Sequence, residues 1–149
     1  MTQEDKELLL KDLCARLNTN LVCSIYRTDD QGIGYRNEIL YGYCNIDGWN
    51  EFYFGEDCGI SIDDISKIKP YLLPMSSMTE KQLFEVQEIF GKNEIKIEDG
   101  FLHIVDSDRN TISYLEILAL SNWFYKNHFD INGLIQMGLA VDATNLNIY

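Results

Sequence analysis

The sequence predicts one α+β domain: an N-terminal helix, a twisted antiparallel sheet built from hairpins, and two further helices packed on it. Three observations predict it. Asp47-Gly48 and Asp99-Gly100 each lie between segments of alternating polarity, the pattern of a two-residue hairpin loop. Three other stretches repeat their apolar residues at helical spacing behind a capping residue. No repeat, low-complexity segment or linker divides the 149 residues, a length at which one core buries about 68–70% of the unfolded chain's surface.

The first helix is expected over residues 3–17. Thr2 can cap it, acids fill its first turn, and Leu10, Leu13, Cys14 and Leu17 form one stripe. Asn18-Thr19-Asn20 ends it. Residues 21–26 are apolar and partly β-branched and read as a strand, and residues 28–34 read as a turn-rich loop. Strands over 38–46 and 49–54 then flank Asp47-Gly48. A two-residue loop sets Tyr43 opposite Phe52 and Tyr41 opposite Phe54 on a core face. The other face carries Leu40, Gly42, Cys44, Trp49, Glu51 and Tyr53 and is expected to be half-exposed.

Residues 55–74 read as irregular, with one helical turn near 63–67, because Pro70 and Pro74 oppose a continuous helix. The second helix follows either Ser77-x-x-Glu80 or Thr79-x-x-Gln82, with Leu83, Val86 and Phe90 on its apolar side and Gly91 as its stop. In the second hairpin Ile97 should face Leu102 and Ile95 should face Ile104, with Lys96 paired to His103 on the other side. The third helix is expected over 112–127, capped by Ser113 and Glu116, with Ile112, Leu115, Leu118, Ala119 and Trp123 along its buried side. Residues 129–149, with Gly133 and Gly138, should make turns against the body.

Composition narrows the function. A net charge of −12 with scattered Lys and Arg opposes direct nucleic-acid binding, which needs clustered bases to displace counterions. No apolar run reaches the roughly 18 residues of a membrane span, and the polar, acidic start lacks the pattern of a secretory signal. A cytoplasmic setting is therefore expected, with Cys14, Cys23, Cys44 and Cys58 as reduced thiols; none of them falls in a C-x-x-C pair.

Motifs for chemistry are sparse. Residues 106–110 (DSDRN) begin like a calcium loop, but Thr111 stands where the loop needs Gly and Ile117 where it needs Glu, so no metal is expected. His103 and His128 are the only histidines; His128, beside Asn127 and Asp130, could act as a base only with a nucleophile for which no motif is present. Asp29-Asp30, Glu56-Asp57 and Asp63-Asp64 read as solvated loop acids. Gly32-Ile33-Gly34 lacks the third glycine and the following helix of a dinucleotide loop. No cofactor is expected.

Aromatic residues concentrate in the first third of the chain: Tyr26, Tyr35, Tyr41, Tyr43, Trp49, Phe52, Tyr53 and Phe54. They suit a sheet core, and equally a contact surface on the Trp49 and Tyr53 side. The leading expectation is a non-catalytic protein-interaction protein whose partner is another protein, a homodimer through the half-exposed hairpin face being one form of it. The alternatives are a binding protein for a metabolite or nucleotide, with the hairpin as a pocket wall, and a hydrolase using converging acids and a histidine.

The strings at 11–17 (KDLCARL), 69–80 (KPYLLPMSSMTE) and 123–135 (WFYKNHFDINGLI) resemble a group of small proteins of anaerobic gut bacteria and their phages and mobile elements. The resemblance covers the first helix and much of residues 60–149, and is weakest over 21–58. It implies an intracellular, phage-linked setting and attaches no activity, cofactor or catalytic residue.

Overall fold

In a computed structural model the chain is α+β: an N-terminal helix, a six-stranded sheet that is mostly antiparallel, and two further helices. The structure describes residues 1–29, 32–46, 49–54, 58–90, 94–98, 101–105 and 113–149. They form two compact units, Met1–Leu72 with Asn132–Tyr149, and Leu73–Ile131.

The first unit opens with α1 (Gln3–Ala15), which begins as its capping residues dictate. The Asp5 N–H donates to the Thr2 hydroxyl at 3.1 Å, and the Thr2 N–H donates back to the Asp5 carboxylate at 2.7 Å. The Thr2 N–H, and then its hydroxyl, hold the Asp5 carboxyl below the ordinary aspartate value. A depressed carboxyl adds stability that is complete above its unfolded value and is lost as pH falls through its folded one. Thr2→Ala should therefore cost about 0.5–2 kcal/mol and move the Asp5 midpoint part of the way back up, as carboxyl NMR titration would show. After α1 the chain turns through Asn18 and Asn20, both at left-handed φ (70° and 57°), which asparagine tolerates better than most residues.

Six strands follow: β1 (Val22–Asp29), β2 (Gly32–Ile46), β3 (Trp49–Phe54), β4 (Cys58–Ser61), β5 (Ile68–Leu72) and, near the C-terminus, β8 (Val141–Asp142). Their order is β4-β3-β2-β1-β5-β8, antiparallel except where β8 lies parallel to Tyr71 and Leu72. One face packs on α1, where Leu9 and Leu13 meet Cys23, Ile25, Leu40, Phe52, Phe54 and Ile68.

Four expectations change. Residues 28–34 are strand rather than loop up to Asp29 and from Gly32 onward, with Tyr26 paired to Tyr35 and Thr28 to Ile33. Tyr41 does not oppose Phe54: the β2–β3 register shifts between Leu40 and Gly42, so Leu40 takes that place. Tyr41 is the extra residue of a bulge, which reverses the alternation of faces; Leu40 is buried and Tyr41 is exposed. Residues 55–74 are not irregular where described, since β4, a 3-10 helix (Ile62–Lys67) and β5 occupy them. Pro70 sits within β5 opposite Cys23, and β8 pairs only with the two residues after it, so on that side the missing N–H interrupts no ladder.

The second unit holds α2 (Glu80–Phe90), the hairpin β6 (Glu94–Glu98) and β7 (Phe101–Val105), and α3 (Tyr114–Lys126). Of the two caps offered for α2, the Thr79 and Gln82 pair forms: the Gln82 backbone N–H donates to the Thr79 hydroxyl and the Thr79 backbone N–H to the Gln82 side-chain Oε1. The β6–β7 register is the expected one, Ile95 to Ile104, Lys96 to His103 and Ile97 to Leu102. Ser113 and Glu116 cap α3 reciprocally. The buried side of α3 is the fourth correction. Leu115, Leu118 and Ala119 are exposed, while Leu120 and Phe124 are buried and Trp123 packs beside them. Trp123 stacks on Phe129 at 5.8 Å, and Phe124 meets both rings edge-on, so the aromatic end of α3 selects its core face.

Candidate contact face and buried polar centre

Two features of the first unit could carry function: a charged cluster sealed inside it, and the sheet face turned away from α1.

The sealed cluster begins with spacing. Asp12 and Arg16 stand one helical turn apart on α1 and are both fully buried. Arg16 Nε donates to Asp12 Oδ2 at 2.7 Å and its Nη2 to Oδ1 at 3.1 Å, a two-pronged pairing. The Asn132 side-chain amide adds a bond to Asp12 Oδ1 at 2.8 Å, tying α1 to a residue 120 positions away. Cys23 lies nearby on β1, and burial pushes its thiol well above the ordinary value, so it remains a protonated, unreactive group. The Tyr149 hydroxyl donates to the Tyr71 carbonyl at 2.7 Å, and burial likewise raises its phenol. Asp12 and Arg16 are desolvated and paired with each other and with Asn132, an arrangement that suits holding a fold.

The opposite sheet face has another composition. Alternation along β1 and β2 directs Tyr26, Ile33, Tyr35 and Ile39 away from α1. The bulge adds Tyr41, and β3 adds Tyr53 opposite Gly42. Ile33 is 70% exposed and Tyr35 and Tyr41 are each 61% exposed; the other three are each more than a third exposed. Together they present on the order of 500 Å² of aromatic and aliphatic side chain. Tyr26 and Tyr35 meet edge-on at 5.1 Å, a favourable aromatic arrangement.

Polar groups stand among and beside these residues. Asn37 accepts from the Tyr71 hydroxyl at 2.9 Å, and Tyr53 donates to Glu51 at 3.4 Å. Partial burial, followed by Cys44 and Glu51 beside it, raises the Tyr53 phenol above its ordinary value and keeps it neutral. Lys69 on β5 pairs across from Ser24, so it stands on the same face.

Of the two residues singled out from the sequence, Tyr53 lies on this face and is exposed. Trp49 opens β3 opposite Ile46, and its side chain lies outside what the structure describes. Tyr26, Ile33, Tyr35, Ile39 and Tyr41 were missed as a set. Reading 28–34 as loop hid the first strand pair, and the bulge moved Tyr41 out of the core. The pattern Tyr26, Ile33, Tyr35, Asn37, Ile39, Tyr41, read at a strand's period of two, carries the signal.

The remaining candidates do not converge. Asp63 and Asp64 are exposed, with Lys67 donating to Asp64 at 2.7 Å. Asp30, Glu56, Asp57 and the stretch 106–111 lie outside the described residues, as does the His103 side chain. In the second unit His128 is buried just beyond α3 at a left-handed φ of 60°, and its carbonyl accepts from the Leu73 N–H. Asp130 is also buried there, and its N–H donates to the Leu73 carbonyl. Among the described residues, no three His, Cys, Asp or Glu side chains gather as a metal site would require, and no helix is long and apolar enough to cross a membrane. No protein-family model, curated protein or solved structure matches the chain.

Proposed function

We propose that this chain is a non-catalytic protein-interaction protein, a cytoplasmic accessory factor of a phage or mobile element, that meets its partner through the tyrosine face of its sheet. The observation that carries the reading is the exposure of six aromatic and branched aliphatic side chains on three adjacent strands. Protein interfaces are depleted of charge at their centres and enriched in tyrosine, and this face has that composition. Leaving these side chains in water weakens folding and solubility, so a partner that covers them recovers that free energy. The exposed apolar residues of α3 in the second unit, Tyr114, Leu115, Ile117 and Leu118, belong to one helix and include one tyrosine against the four of the sheet face.

The test is co-purification from the native host with wild type and with a Tyr35→Thr/Tyr41→Thr double variant. Wild type should return one stoichiometric protein partner and the variant should lose it. Recovery by both, or by neither, overturns the reading.

A further inference from the structure

We propose that residues 141–149 form a strap that opens from β5 as one unit, with the Tyr149 hydroxyl as its latch. In a strand the N–H and C=O of one residue point to one side, and those of the next residue point to the other. The Leu40 N–H donates to the Leu21 carbonyl at 2.8 Å, so Leu21 faces β2 and the backbone polar groups of Val22 face β5. The Ala143 N–H donates to the Leu72 carbonyl at 2.8 Å, so Leu72 faces β8 and the backbone polar groups of Tyr71 face β1. Val22 and Tyr71 thus face each other one step beyond Cys23 and Pro70, where the β1–β5 pairing ends.

A side chain supplies the rung at that step. The Val22 N–H donates to the Tyr149 phenol oxygen, and the same hydroxyl donates on to the Tyr71 carbonyl at 2.7 Å. Val141 and Asp142 meanwhile pair with Tyr71 and Leu72 on the other side of β5. Between these two holds the chain is turned at Asp142, whose carboxylate accepts from the Thr144 N–H at 2.9 Å and from its hydroxyl at 2.6 Å. The Leu146 N–H then donates to the Ala143 carbonyl at 3.0 Å. One short segment therefore clasps β5 from both sides.

Little else holds that segment. β8 contributes two paired residues, and from Val141 to Tyr149 only Ala143 is buried. A segment with so few buried contacts opens at a lower free energy than the sheet it lies on. Closed, it covers the edge of β5 at Tyr71 and Leu72, where an open strand edge would otherwise offer pairing to another chain. Tyr71 also donates its side-chain hydroxyl to Asn37, so the latch and the exposed face share a residue.

Residue-resolved amide hydrogen exchange under native conditions tests the strap, on wild type and on Tyr149→Phe, which keeps the ring and removes the hydroxyl. In wild type the Val22 and Ala143 amides, on opposite sides of β5, should show one common protection. It should be at least about tenfold lower than that of the Leu40 amide in the β1–β2 ladder. In Tyr149→Phe both amides should lose about a further tenfold, the usual effect of removing one bond from buried backbone groups. Equal protection of Ala143 and Leu40 in wild type would mean that the segment opens only with the whole sheet, and would overturn the proposal without the variant. Unequal protection of Val22 and Ala143 in wild type would show that they do not open as one unit. If Tyr149→Phe exposes Val22 and leaves Ala143 as protected as before, or changes neither, the hydroxyl is no latch and the proposal falls.

Discussion

Asp12→Ala is expected to lower the unfolding free energy by about 3–5 kcal/mol, the usual result of stranding one member of a buried ion pair. The substitution removes both acceptors of the Arg16 fork and the acceptor of the Asn132 amide at once. Arg16 would keep its charge with no water in reach, since it is fully buried. In a protein of this size that loss corresponds to a fall in melting temperature on the order of 10 °C. The paired replacement Asp12→Leu/Arg16→Met should cost far less than Asp12→Ala, because both charges leave together. A urea titration of wild type and the two variants separates the cases. Equal losses for Asp12→Ala and the pair would show that the cluster does not act as an ion pair.

The tyrosine face has the second large effect, and it falls on binding rather than folding. Tyr35 and Tyr41 are the most exposed tyrosines of the set and lie on β2, the middle of its three strands; truncating an interface hot spot typically costs about 2 kcal/mol or more. Tyr35→Thr/Tyr41→Thr should therefore weaken partner binding by at least about thirtyfold. Threonine keeps the strand preference of the site, so the sheet should persist. Stability should fall by no more than about 1 kcal/mol, most of it from the lost Tyr26–Tyr35 ring contact. A thermal melt beside a titration with the recovered partner distinguishes a contact surface from a structural one.

How far the fold could be read from the chain follows from how local each signal is. Thr2 with Asp5, Thr79 with Gln82 and Ser113 with Glu116 each cap a helix through residues three apart, so a short window contains the whole interaction. The Ile95–Ile104 and Tyr43–Phe52 pairings follow from turn length and alternation and are equally local. The Leu40–Gly42 shift is different. Whether the strand takes an extra residue depends on whether Leu40 or Tyr41 fits against Phe54 and α1, a choice made in three dimensions. Pro70 in β5 is tolerated because β8 begins only opposite Tyr71, some 70 residues later in the chain. Asp12 and Arg16 look like any exposed helical pair until Asn132 and the core enclose them. The contact face was half legible: Tyr53 stood out beside the Asp47-Gly48 turn, while Tyr35 and Tyr41 depended on a strand pair and a bulge that span distant windows.

Tyrosine nitration footprinting tests the contact face most directly. In the free protein Tyr35, Tyr41 and Tyr114 are the most exposed tyrosines among the described residues and should react first, while buried Tyr71 should react slowly. With the partner bound, Tyr35 and Tyr41 should be protected and Tyr114, on α3 of the other unit, should continue to react. Protection of Tyr114 with Tyr35 and Tyr41 still reacting at their free rate would contradict the account and move the contact to α3.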